Sequence, residues 1–521
     1  MATRFPGPKP AAARWRACAW VAGLAICAAT SIMAAPVPVP VPVPAGPAMP
    51  VPSPVVTHHR GTFHGLRVDY TVTVQGLVVP RTDGPGGARI VSFAYQREQV
   101  TDPATRPVIF LFNGGPIASS VWIQLGAFGP MRVSAPAQLD KGVEAYRLVD
   151  NPYALLDIAD LVYIDPADTG FSRRLPGTPG NAYHSVRSDA GQIAGFIRRW
   201  LALHDRSHAP VYIVGESYGT IRATQVIGLL TSQPHPIPVD GLFLLGEAVN
   251  IIEYAQRPDN IISYAVSLPS LAAIAWYHGK VDRSGKTFGQ FVEAARRYGG
   301  GAYLHALFQS ADLPADQREQ VARQLQAFSG IPASYYLAHG LKISKEQFRL
   351  ELLKDRHLLL GRNDARYLAP LTAAGLAPDP AEVISRAFSR IWSSYLRRDL
   401  GVPASQPYVL MDEVQHPDDW GWGGSSPFSD YAYGDAITEW MARNPRFRVL
   451  IGEGYYDTQT TIGASDYLRS QSGWPADRVA LRFYQGGHMP YSVDASAARI
   501  ANDLRALVSG APMASLPEIE R

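Results

Sequence analysis

Short runs of consecutive apolar residues punctuate this chain at positions 108–112, 161–164, 211–214, 242–245, 449–451 and 479–483. Runs of this length, bounded by polar or turn-forming residues, read as strands buried on both faces, because a half-exposed strand alternates. Stretches with helical spacing lie between several of them, residues 188–204 among them. Buried strands alternating with helices predict an α/β fold around a mostly parallel sheet. Residues 66–74 and 89–97 alternate instead, separated by the turn-rich PRTDGPGG, and predict an antiparallel pair at the sheet edge. Between Asn250 and Arg446 the strand runs largely stop, and helical patterns take over at 288–297, 315–328 and 345–355. The expected organisation is an α/β core in two parts, 56–250 and 447–510, interrupted by a helical cap at 251–446. That cap ends in a turn-rich segment at 416–428.

Composition changes this picture mainly at the N-terminus. The first 35 residues hold Arg4, Lys9, Arg14 and Arg16, no acid, and an apolar stretch from Ala17 to Ala35 ending in small residues. This predicts an export signal, cut between Ala28 and Ala35, and so a periplasmic or secreted protein. The same stretch approaches spanning length, so retention as a membrane anchor is the alternative. Residues 36–55 form a Val-Pro-rich linker, expected as an extended polyproline II spacer. Of 521 residues, 46% are hydrophobic, ample for a large core. The formal charge of +3 falls to −1 without the four leader bases, so no nucleic-acid footprint is present. Both cysteines, Cys18 and Cys27, lie in the leader, which excludes disulfides and thiol chemistry from a processed chain.

The run 211–214 leads directly into Gly215-Glu216-Ser217-Tyr218-Gly219 and then a helix-compatible stretch. Gly-x-Ser-x-Gly between a strand and a helix is the context in which a sharp turn exposes a serine hydroxyl as nucleophile. A hydroxyl needs an imidazole to accept its proton, and the imidazole needs an acid to fix its tautomer. The chain order Ser, acid, His points to the last two strands: Asp457 follows 449–451 and His488 follows 479–483 behind a glycine pair. Glu453 and Asp466 are the fallback acids.

Four blocks then carry a resemblance. Asn113-Gly-Gly-Pro-Ile-Ala-Ser-Ser120, Asp165-Pro-Ala-Asp-Thr-Gly-Phe-Ser172, GESYGT and GGHMPY resemble, in order, the conserved blocks of the serine carboxypeptidases of the α/β-hydrolase superfamily. They span roughly residues 60–505. The segments LPSLAAIAWYHGK and GRNDARY further resemble the bacterial branch of that family. The resemblance implies an α/β-hydrolase fold with a large inserted helical cap, and a triad of Ser217, Asp457 and His488. It implies an oxyanion hole from the amides of Gly115 and Tyr218. Asn113, the Gly114 amide and Glu216 would bind the substrate's C-terminal carboxylate, with Glu216 protonated, which favours acidic pH. A peptide is the implied substrate, and no metal or cofactor is required. The chain departs from the family at position 127, where a second Glu is usual and Ala127 stands, at Ala118 in place of Cys, and in the loop carrying Asp168. These departures leave the triad intact but open the alternative of an esterase or acyltransferase.

Three further features have ordinary readings. Residues 279–287, GKVDRSGKT, look like a phosphate-binding loop with one residue too many and follow a helical stretch, which predicts a surface loop. His58, His59 and His64 lack metal-ligand spacing. Trp420, Trp422, Phe428, Tyr431 and Tyr433 are aromatic enough to line a cleft, and equally suited to packing.

Overall fold

The computed structural model describes residues 54–136, 138–371, 379–403, 407–412, 419–424, 426, 428, 429 and 431–512. The expected leader, nearly all of the linker, and residues 416–418, 425 and 427 of the turn-rich segment lie outside the described residues. Ten strands form the main sheet: β1 (Val55–Phe63), β2 (Leu66–Pro80), β3 (Gly87–Arg97), β4 (Val108–Phe112), β5 (Asp160–Asp165), β6 (Arg173–Arg174), β7 (Val211–Glu216), β8 (Val239–Leu245), β9 (Arg448–Gly454) and β10 (Val479–Tyr484). Their order is β1-β2-β3-β5-β4-β7-β8-β9-β10, with β6 paired to β3. Neighbours are antiparallel from β1 through to β5. From β5 to β10 every pairing is parallel. This is the α/β-hydrolase sheet, and all six apolar runs are strands in it.

β1 gave no apolar signal. Its residues alternate between half-buried and exposed, and Thr57, His58, His59 and Arg60 make up its middle. It is held by its full-length pairing with β2, from Val55 opposite Val74 to Phe63 opposite Leu66. Its histidines serve the strand: His58 pairs with Glu98 at 2.7 Å, and His59 stacks on Tyr70. Among the described residues no group of His, Cys, Asp and Glu side chains is arranged to hold a metal ion.

The two-residue period of the strands separates two cores. On β4, Ile109 and Leu111 point to one face while Val108, Phe110 and Phe112 point to the other. Helices α1 (Val186–Leu203) and α2 (Tyr218–Thr231) cover the Phe110 face, with Trp200 edge-on to Phe110 at 5.6 Å. Helices α3 (Glu382–Arg398) and α4 (Asp494–Ser509) cover the opposite face, so α3, although inside the expected cap segment 251–446, packs on the main sheet with Trp392 against Phe93.

β8 and β9 are sheet neighbours, yet the chain between them makes an excursion of about two hundred residues. This insertion contains helices Ile261–Tyr277, Phe288–Tyr298, Ala315–Ser329 and Lys345–Glu351, and a short antiparallel pair, Leu358–Leu360 with Leu368–Pro370. Its apolar cluster, including Leu271, Phe291, Leu325 and Phe348, extends to Tyr455 and Tyr456 just past β9. The phosphate-loop look-alike lies in this insertion, and its Thr287 caps the next helix in a reciprocal pair with Gln290. No helix among the described residues is long and apolar enough to cross a membrane.

Candidate active site

β7 ends at Glu216, and Ser217 turns the chain at φ 59°, ψ −133° before α2 begins at Tyr218. A non-glycine residue at positive φ costs about 1–3 kcal/mol and persists only where its surroundings enforce it. Here they do, because backbones meet. A Cβ on Gly215 would lie 2.2 Å from the Gly219 carbonyl oxygen, and one on Gly114 would lie 2.5 Å from the Tyr218 nitrogen. The glycines of Gly-x-Ser-x-Gly, together with Gly114, thus let the turn close on itself and on the loop after β4. The Ser217 amide donates to the Leu245 carbonyl at 2.9 Å, which ties the turn to β8.

The loops after β9 and β10 bring in the other two candidates. His488 Nδ1 lies 2.6 Å from Asp457 Oδ2. Asp457 also accepts from the Gln459 amide at 2.7 Å and the Thr460 hydroxyl at 2.6 Å. A carboxylate on Nδ1 keeps the proton there and leaves Nε2 as the free base. Ser217 and His488 line one cavity of about 290 Å³ with Asn113, Gly115 and Glu216. Among the described residues no hydrogen bond has formed between Ser217 Oγ and His488, an open geometry common before substrate binds. Burial disfavours the imidazolium, but Asp457 outweighs it, helped by Glu216 and Glu453, and pushes His488 up to about 9. Where Glu216 and Glu453 carry protons their share vanishes, and the imidazole titrates lower.

The fallback acids are placed differently. Glu453 is fully buried and accepts from the Glu247 amide and Ser465, with its Oε2 3.1 Å from the Thr460 hydroxyl oxygen. Burial, then the Asp457 and Glu247 carboxyls, holds it well above the usual carboxylate range. Asp466 pairs with Arg296 at 2.7 Å. Asp457 is the acid in contact with His488.

The amides of Gly115 and Tyr218 flank the turn, and among the described residues no backbone carbonyl accepts from either. Asn113 is fixed at both ends. Its Oδ1 accepts from the Ile123 amide at 3.0 Å and its Nδ2 donates to Glu216 Oε2 at 2.8 Å. Its backbone carbonyl accepts from Arg222, itself buried and paired with Asp189. Glu216 is 2% exposed and also receives the Tyr491 hydroxyl. Burial pushes its carboxyl up to about 7, against the opposing pull of His488 and of its hydrogen bonds.

Three contributors escaped sequence reasoning. Thr460 braces Asp457 and Glu453 together, and Tyr491 reaches Glu216 from three residues beyond His488. The third is the segment GRNDARY of the insertion. The Asn363 carbonyl accepts from the His488 amide at 2.5 Å, Asp364 accepts from the Gly487 amide at 3.1 Å, and the Arg362 carbonyl accepts from the Thr458 hydroxyl at 2.8 Å. The motif was visible as a resemblance, but its contacts are tertiary and no spacing encodes them. The aromatic run faces elsewhere: Trp420 and Trp422 pack edge-on against the Tyr218 ring, and Phe428 is 95% exposed.

Residues 91–235, from β3 through α2, match the family model described as serine carboxypeptidase. A carboxypeptidase Y homolog of Arthroderma benhamiae is 28% identical over 192 residues, 36% of this chain and 34% of that protein. Serine carboxypeptidase-like 45 of Arabidopsis thaliana is 27% identical over 214 residues, 39% of this chain and 41% of that protein. The chain thus spans well under half the length of these curated relatives. Among solved structures, the Saccharomyces cerevisiae prohormone-processing carboxypeptidase Kex1(Δ)p aligns with a TM-score of 0.49 at 12% identity, over 84% of this chain and 91% of that one. The similarity to serine carboxypeptidases thus covers residues 91–235, which hold the turn at Ser217 and Asn113.

Proposed function

We propose that this chain is an exported serine carboxypeptidase that releases C-terminal amino acids from peptides, with Ser217, His488 and Asp457 as its triad and the 251–446 insertion as the cap over the cleft. The observation that carries the reading is that one cavity receives Ser217, His488, Asn113 and Glu216 together. In the proposed reaction Ser217 Oγ attacks the last peptide carbonyl while its proton passes to His488 Nε2. The oxyanion is met by the Gly115 and Tyr218 amides, each donor worth about 2.7–4 kcal/mol in the transition state. His488 hands its proton to the departing amine as the C–N bond breaks. Water then attacks the acyl ester, His488 takes its proton, and the proton returns to Ser217. Asn113, the Gly114 amide and a protonated Glu216 hold the substrate's free carboxylate beside the scissile bond.

The test compares one N-blocked dipeptide as free acid, amide and ester across about pH 4 to 8, with Ser217→Ala beside it. Preference for the free acid supports a carboxypeptidase. Turnover of the ester alone favours a second reading, an esterase or acyltransferase with the same triad, for which Ala127 is the motivating feature. Export to the periplasm or medium rests on the leader alone and is read by N-terminal sequencing of the mature protein.

A further inference from the structure

Glu216 is a buried carboxyl group facing the cavity, and its hydrogen bonds can be fully accounted for. Asn113 Nδ2 donates to Oε2 at 2.8 Å, and the Tyr491 hydroxyl lies 2.9 Å from both Oε1 and Oε2. The charged or titratable groups facing it are Tyr491, His488 and Asp457. Among the described residues no second carboxyl group hydrogen-bonds to it. Tyr491 is itself fully buried, in the 3-10 turn Pro490–Ser492 directly after His488 and Met489. Its ring occupies space that only a glycine leaves open, since a Cβ at Gly126 would lie 2.2 Å from it. The backbone next to Ala127 is therefore shaped around this tyrosine.

We infer that Tyr491 is the positioning residue of the carboxylate site: its hydroxyl aims the Glu216 carboxyl group into the cavity and sets the pH at which a free substrate carboxylate ceases to be accepted. The inference rests on the reading of Asn113 and Glu216 as carboxylate-binding groups. Ionised, Glu216 is an acceptor already served by two donors, and it repels a second carboxylate. Protonated, it carries a hydrogen for the substrate. Burial and the neighbouring Glu216 hold the Tyr491 phenol well above its ordinary range, so it stays a donor throughout. A permanent donor favours the ionised form of Glu216, so Tyr491 brings the changeover down towards neutrality and its removal lets the changeover rise.

The experiment measures kcat/KM for a blocked dipeptide as free acid and as amide from about pH 5 to 9, and follows their ratio, in which the titration of His488 cancels. In the wild type the ratio falls as pH rises through about 7. Tyr491→Phe moves that midpoint upward by about one to two pH units, the worth of one hydrogen bond to a charged acceptor. A ring-fluorinated, more acidic tyrosine placed at position 491 keeps the shape and moves the midpoint downward. Equal labelling of Ser217 by a fluorophosphonate verifies that the variant sites assemble. A wild-type ratio that falls with pH while neither variant moves its midpoint overturns the role of Tyr491. A wild-type ratio near one at every pH overturns the carboxylate reading itself, and this inference with it.

Discussion

Replacing one oxygen of Asp457 by an NH₂ group separates the proposed acid from its buried neighbour Glu453. In Asp457→Asn the side chain has two orientations. With its amide group on the Gln459 side, two donors face each other where Asp457 Oδ1 now accepts the Gln459 amide at 2.7 Å. A buried donor left unsatisfied costs about 1–3 kcal/mol, and here both sides lose their partner. The other orientation turns the NH₂ towards Thr460 and His488. Thr460 adapts by rotating its hydroxyl to Glu453, 3.1 Å away. The imidazole adapts by moving its proton to Nε2, where it presents a donor to Ser217 instead of a lone pair. That orientation wins, and kcat falls on the order of 10⁴-fold with KM little changed, as expected when a triad histidine is held in the wrong tautomer. Glu453→Gln is the control: burial, then the Asp457 and Glu247 carboxyls, favour the neutral form of Glu453, which Gln mimics, so the substitution is expected to cost less than about tenfold. Steady-state kinetics and the rate of fluorophosphonate labelling of Ser217 read both variants. If Asp457→Asn kept kcat within about tenfold while Glu453→Gln lost 10³, the assignment of the acid would be wrong.

Gly114→Ala places a methyl group 2.5 Å from the Tyr218 nitrogen and 2.6 Å from the Gly219 nitrogen, atoms that cannot swing away. The turn must shift, and kcat is expected to drop about 10²–10³-fold, with a lower Tm measured in parallel. For an amide or ester substrate, kcat/KM rises with pH as His488 loses its proton. Because Asp457 holds that proton tighter, Asp457→Ala moves the rising limb to lower pH in the rate profile. Asp364→Ala strands Arg366, its partner in a largely buried pair, and removes the acceptor of the Gly487 amide. Denaturant unfolding is expected to show a loss of about 3–5 kcal/mol.

The strands were legible because burial on both faces demands uninterrupted apolar residues. β4 is the run 108–112 itself, and β7 and β10 extend theirs by one or two residues. β1 was illegible for the opposite reason, since an edge strand needs only backbone pairing and its polar side chains carry no period. The strained turn at Ser217 was readable from its glycines because close backbone approach restricts residue type. The meeting of His488 with Asp457 was readable from order along the chain. Tyr491 was not, although it lies three residues from His488: which group its hydroxyl meets depends on how the turn at 124–128 leaves room beside Gly126. Thr460 is likewise an ordinary threonine until Asp457, Glu453 and His488 surround it.

The grip of residues 362–364 on Thr458, Gly487 and His488 bears on how such a protein can diversify. An insertion that only roofed the cleft would behave as an interchangeable module, free to vary with diet or habitat while the machinery beneath stayed constant. Here the same stretch of chain seats the backbone of His488, the proposed general base. Exchanging it for another of different selectivity also re-seats His488, so gains in substrate range and losses in turnover are inherited together. Lineages descending from this architecture are therefore expected to explore new specificities through the cavity walls around Trp122 and Ser385, leaving the 361–367 segment in place.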